Sequence, residues 1–261
     1  MLNSSNKFVV NSVMIITAIA AIIFLQLQTL NEPTNSLTDR DYIQQENQQK
    51  TKASWQKNIP SFGFGNLISD FAYLQFLQYF GDAEARDITG YSVVTDYFET
   101  IVKHDPHFVQ SYFMMSPANS LFAARPEKTI ELIDRGLQVI TPQHPGYPFY
   151  LWTYKANDEV LFLGDLKAAK HSYEKAAEWA RAREDDLGNE VAQNFERTAD
   201  FLASNPDPTE SQIAAWMTAL SSIKDRKTQN YILDKLKELG AEITIDPNGK
   251  VKVKPPQEAK T

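Results

Sequence analysis

The chain has 261 residues, no cysteine, four histidines and a formal net charge of −7, with an isoelectric point near 5.2. Without cysteine there are no disulfides, no Cys-ligated metals and no thiol nucleophiles. An acidic chain repels phosphate backbones, which argues against nucleic-acid binding, and a hydrophobic content of 43% is enough for a packed core.

Residues 1–7 are a short tail in which Lys7 is the only charged side chain. Phe8 to Leu30 then carry no charge over 23 residues (30 − 8 + 1 = 23). About 20 apolar residues cross a bilayer core. The almost wholly apolar centre, Val13 to Leu25, is also compatible with the h-region of a signal peptide. That reading needs a small-residue cleavage site just after the run, and Gln26-Leu27-Gln28 does not supply one. Residues 8–30 are therefore predicted to be an uncleaved transmembrane anchor. Lys7 precedes the run, and Glu32, Asp39, Asp41 and Glu46 follow it with Arg40. The charge bias predicts a cytoplasmic N-terminus, with the bulk on the periplasmic or lumenal side.

Residues 31–60 form a polar spacer rich in Gln, Asn, Thr and Lys. Thr38 could cap a polar helix running toward Lys57, and a flexible stalk is the equal alternative. Ser61-Phe-Gly-Phe-Gly-Asn66 reads as a loop. Its single G-x-G lacks the third glycine and the preceding strand of a phosphate-binding turn. An aromatic helix is predicted over Leu67 to Phe80, with Gly81 as its stop.

From residue 91 the pattern repeats. Asp96 to Tyr112, Pro126 to Pro142 and Gly164 to Ala180 each show helix periodicity bounded by proline or glycine. Aligned on Phe98, Ile133 and Tyr173, the spacings are 133 − 98 = 35 and 173 − 133 = 40. Periods of about 34 mark helix–turn–helix arrays. Ala169 and Ala176 would let neighbouring helices approach closely, with Tyr173 filling the space between pairs.

Gly164 to Ala180 resembles the second half of a tetratricopeptide repeat, with Ala169, Tyr173 and Ala176 in its small–aromatic–small pattern after the Gly164-Asp165 turn. Phe98 and Pro106 match the family's aromatic and terminal proline, and the middle repeat keeps Ile133, Gly136 and a proline displaced by one, Pro142. Val94 and Ile101 replace the family's alanines, and the first helices depart from its pattern. The resemblance covers about residues 66 to 182. It implies an α-solenoid that binds protein. Its registration would put Met114, Tyr154 and Asp158 on the concave, partner-binding face.

Residues 183–240 read as capping helices for the array, which occupies residues 61–182. Leu187, Val191, Phe195, Ala199 and Leu202 form one apolar stripe. Asp207-Pro208-Thr209-Glu210 is a helix start, and Lys227 to Leu239 is a last helix ended by Gly240. Residues 241–261 are a β-hairpin and tail. Asp246-Pro247-Asn248-Gly249 is the turn, and Ile243, Ile245, Val251 and Val253 share one face.

The sequence has no phosphate-loop, dinucleotide, zinc-protease or nucleophile-elbow motif. His104-Asp105-Pro106-His107 is the densest ligand-like cluster, but Pro106 breaks the helix between its histidines, so it reads as a polar turn. No catalytic residue, cofactor or metal is expected. The resulting expectation is an all-α, single-pass membrane protein: a transmembrane helix, a tetratricopeptide-like solenoid and a small C-terminal β-hairpin. It would act as a scaffold or assembly factor for a membrane complex. Bacterial membrane-anchored tetratricopeptide proteins, including photosystem assembly factors, have a similar layout. A stable accessory subunit and an enzyme on a helical scaffold are the other classes.

Overall fold

The computed structural model describes residues 13–24, 37–245 and 251–254. The chain divides into two units, Met1–Thr38 and Asp39–Thr261. In the first unit, residues 13–24 are helical. Among the described residues, no helix is long and apolar enough to cross a membrane. This corrects the expectation of a single-pass anchor over residues 8–30 and of the localisation built on it. The described helix has 12 residues (24 − 13 + 1 = 12). That length rises roughly 18 Å, against a hydrocarbon core of about 30 Å. Residues 8–12 and 25–30 of the expected span lie outside the described residues.

The second unit is mostly helical and ends in a two-stranded sheet. The segment whose sequence fitted either a stalk or a helix is a helix, α1 (Asp39–Gln56). It packs on α3 (Ala83–Thr89) and α4 (Val94–His104). α2 (Gly65–Gly81) lies against α4, where Phe76 and Phe98 meet with ring centroids 4.6 Å apart. The burial pattern of α4 shows why it is helical. Val94, Tyr97, Phe98, Ile101 and Val102 are buried, which is the stripe spacing of a 3.6-residue helix.

α1 is fastened by a buried ion pair. Arg86 Nη1 donates to Glu46 Oε2 at 2.9 Å and to the Gly90 carbonyl at 2.7 Å. Tyr79 Oη and Ser92 Oγ donate to Glu46 Oε1 at 2.9 and 2.7 Å. The Arg86 guanidinium also sits 3.6 Å from the centroid of the Tyr79 ring. Burial raises the Tyr79 phenol pKa, so the phenol stays protonated and remains a donor.

Two helix pairs follow, built alike. α5 (Val109–Met115) runs into a π-helical segment, Ser116–Phe122, and α6 (Pro126–Leu137) returns. α7 (Phe149–Asp158) runs into Glu159–Leu163, also π-helical, and α8 (Leu166–Arg181) returns. The Arg125 N–H donates to Asn119 O and the Asp165 N–H to Glu159 O, both at 2.9 Å and both reaching six residues back. Ala124 and Gly164 each turn the chain in the left-handed region, at φ 53° and 65°. These features recur at one offset, 164 − 124 = 40, which is also the spacing of Ile133 and Tyr173. Pro117 brings no N–H to the first π segment, which loosens the α ladder there.

α9 (Asp186–Ala203) stacks on α8. Ala169 and Ala176 are fully buried. Tyr173 is half-buried, and its hydroxyl donates to Asn157 at 2.7 Å. α10 (Thr209–Ser222) then folds back across both π segments. Trp216 is completely buried there, edge-on to Phe162 at 4.9 Å, in a second core with Ala124, Ile213 and Ala219. α11 (Arg226–Glu238) packs on α10 and adds Ile232 and Leu236 to that core. The strands β1 (Glu242–Ile245) and β2 (Val251–Lys254) pair antiparallel, with Ile243 opposite Val253 and Ile245 opposite Val251. Ile243 and Val253 pack on the second core, so the last helices cover this face of the hairpin. The predicted turn at residues 246–249 lies outside the described residues.

Arg86→Ala should destabilise the second unit by about 3–5 kcal/mol, because it leaves the Glu46 carboxylate buried and unpaired. Urea unfolding of the variant measures this, and hydrogen exchange should show α1 opening first. Ala176→Leu should cost about 1–3 kcal/mol through overpacking, read as a lower melting temperature.

Candidate functional site

α2 is apolar on every side, and Asp70 is its only charged residue. A helix of that composition is covered all round in a stable setting. Here Ser69, Ala72, Phe76 and Tyr79 are buried, while Leu67, Phe71 and Leu74, spaced i, i+4, i+7, are exposed. Three aromatic residues extend this stripe. Trp55 projects from the last turn of α1, and Phe62 and Phe64 stand on the loop before α2. These six side chains are between 52 and 83% exposed. Together they present on the order of 800 Å² of apolar surface, against roughly 300–600 Å² for the largest patch of a typical monomer.

The loop is built to hold this surface out. The Phe64 N–H donates to the Ser61 carbonyl at 2.7 Å. Phe62 and Gly63 both lie in the left-handed region, at φ 46° and 89°. A bulky aromatic residue is strained there, by roughly 1–2 kcal/mol. Gly65 starts α2 hard against the end of α4, and a Cβ on it would collide with the His104 carbonyl oxygen. Between α1 and α2, Trp55, Ile59, Leu67, Ile68 and Phe71 wall an apolar groove of about 420 Å³, with Lys52 and Gln56 at its edge. Shape, area and low charge together suit a docked apolar segment, with little to steer or polarise a reacting group.

The residues expected to contact a partner lie elsewhere. α5 and α7 are in contact, which sets Phe113 against Tyr150 and Tyr154 with centroids 6.0 Å apart in each case. Met114 and Tyr154 are half-buried against the main core. Asp158 is 1% exposed and offers a partner no surface. Its carboxylate accepts hydrogen bonds from Ser116 Oγ at 2.8 Å and Ser120 Oγ at 2.6 Å. The network continues through Thr129 and Asn119 to Thr95. Burial pushes the Asp158 carboxyl up to about 7; the two serine hydroxyls oppose the shift, and neighbouring Glu159 adds to it. Glu159 is raised as well, chiefly by burial, with Ser172 and Lys155 opposing.

His104 and His107 do not form a ligand pair. His107 stacks on His144 with centroids 5.4 Å apart, and its Nδ1 lies 3.9 Å from Asp105. Among the described residues, no three His, Asp or Glu side chains converge as a metal set. The aromatic helix and the Phe-Gly-Phe loop stand out in the sequence, but neither pattern by itself implies a binding role. The signal available was the near absence of charge over Phe62 to Gly81. Comparison with protein-family models, with curated proteins and with solved structures finds no match for this chain.

Asp158 makes stability depend on pH. Its folded pKa of about 7 lies above the unfolded value of roughly 3.9. The folded chain therefore keeps a proton that the unfolded chain loses between those pH values. Stability should fall as pH rises from about 4 to about 7.5, by roughly 2–4 kcal/mol from this group. Asp158→Asn should flatten that slope relative to the wild type and be the more stable form above pH 7, as urea titrations at several pH values will show.

Proposed function

We propose that this chain is a protein-binding scaffold built from tetratricopeptide-like helix pairs, which assists the assembly or stabilisation of a protein complex. The observation that carries the reading is the uncovered apolar face of α2 with Trp55, Phe62 and Phe64 around it. Its area of about 800 Å² matches one side of a standard protein interface. Exposed aromatics of this kind are the usual anchors of such interfaces. The patch carries Lys52 and Asp70 as its charges, so apolar burial rather than ion pairing would supply the affinity.

The repeat reading is supported by the two helix pairs that share an offset of 40 residues and by the buried small residues Ala169 and Ala176. An offset of 40 exceeds the family's period of about 34. The extra length lies in the π segments and in the loop of residues 142–148. Met114 and Tyr154 remain candidate contacts of a second, inner surface formed by α5 and α7.

The test compares the wild-type chain with Leu67→Glu/Phe71→Glu, both used as affinity-purification baits. These positions are solvent-facing, so the melting temperature should change little. A partner recovered in fixed ratio with the wild type should be lost with the variant. Light scattering runs alongside. A wild-type dimer that the variant turns into a monomer would replace a foreign partner by a second copy of the chain. Equal recovery of the same partner by both baits would remove the surface from the reading.

A further inference from the structure

A second cavity, of about 420 Å³, has the opposite character. It lies where the turn before α4, the turn before α6 and the turn between α10 and α11 come together, with α1 alongside. Lys50, Arg125, Lys224 and Lys227 stand around it. These four cations come from three distant parts of a chain whose net charge is −7. Elsewhere, cations such as Lys57, Lys128, Lys155, Arg181 and Arg183 are held by carboxylates. Among the described residues, none of the four around the cavity has an ion-pair partner.

Against these four cations stand the Asp225 carboxylate on the wall and Asp96, whose charge acts on Lys50, so the recess keeps a net positive charge. Asp225 is on the wall, but its carboxylate accepts the Thr228 N–H at 2.9 Å and caps α11. Glu46 lies behind Ser92 and is paired with Arg86. Like charges gathered round one recess repel each other, and an anion placed between them removes that repulsion. The backbone at Arg125 and the stem of Lys224 are fixed, while the charged ends of both side chains are exposed. The Asn119 amide donates to the Arg125 carbonyl at 3.3 Å, just after the left-handed turn at Ala124. The Lys224 stem packs over Gly90, where an added Cβ would lie 3.3 Å from its Cγ. The N-terminal turn of α11 faces the same recess through Lys227 and Thr228, with the Asp225 carboxylate capping it.

We propose that this cavity binds a small molecule through a phosphate or pyrophosphate group. The volume lies within the range of small-ligand pockets. One guanidinium fork and three ammonium groups match an oxyanion of two or more charges. Tyr91 supplies the single aromatic ring on the wall, so recognition centres on the charged group. A nucleic-acid strand does not fit, because the acidic surface beyond the recess would repel its other phosphates.

The probe is inorganic pyrophosphate, titrated calorimetrically into the full chain at low salt. The expected result is saturable binding to one site, with a dissociation constant on the order of 1 mM or tighter, weakening as salt rises. Arg125→Gln/Lys224→Gln should lose at least about tenfold in affinity, while Lys170→Gln/Lys175→Gln on α8 should bind as the wild type does. Lys227→Gln, on the exposed first turn of α11, is the independent variant should the double one fail to fold, and it too should weaken binding. The proposal is overturned if pyrophosphate shows no binding beyond that of chloride at matched ionic strength, or if the α8 control weakens it equally. Citrate bound as tightly as pyrophosphate would also overturn the phosphate assignment.

Discussion

Glu46 and Arg86 meet inside the second unit with Tyr79 stacked on the guanidinium, and α1 owes its position to that contact. α1 is a polar helix with little apolar surface of its own to bury; Ala53 is its one buried apolar residue. Removing two charges from water brings little net stability, but any register that parts them strands a buried charge, which is costly. With Glu46 turned inward, Trp55 stands beside α2 and Lys50 beside the cationic cavity. The two surfaces of opposite chemistry therefore share one positioning element.

Buried polar groups gather in and around the two π segments. Asp158, Glu159, Asn119, Ser116, Ser120 and Thr129 are all buried there. A widened helical turn leaves carbonyl and amide groups out of the regular ladder, and side-chain hydroxyls and carboxylates complete the bonding. The arrangement is tolerable because the groups satisfy each other, and it ties stability to the protonation of Asp158.

Helix content and most boundaries were legible in the sequence for physical reasons. Proline and glycine mark helix ends at Pro106, Gly81 and Gly240, and Asp207-Pro208 stands just before the start of α10. The offset of 40 is visible in the spacing of Ile133 and Tyr173, a large residue in each returning helix. Three things were not legible. A run without charge does not by itself give a membrane-crossing helix: among the described residues none is long and apolar enough. Registration to the tetratricopeptide pattern puts Asp158 on a concave face, whereas the winding changes at the next residue and the carboxylate is buried against Ser116 and Ser120. The four cations are separated by up to 177 positions (227 − 50 = 177), and only the return of α10 and α11 brings them together.

That return also changes how the chain comes to be folded. In a simple stack each pair touches only its neighbours, so folding can nucleate at any pair and propagate. Here Trp216 of α10 covers Ala124 and Phe162, and Tyr231 reaches Glu127 across 104 positions. The central turns thus stay open to water until the C-terminal helices have left the ribosome. Contacts this distant slow the final closure. During that interval the nascent chain presents its second core, half-built, to whatever chaperone or neighbouring chain is at hand.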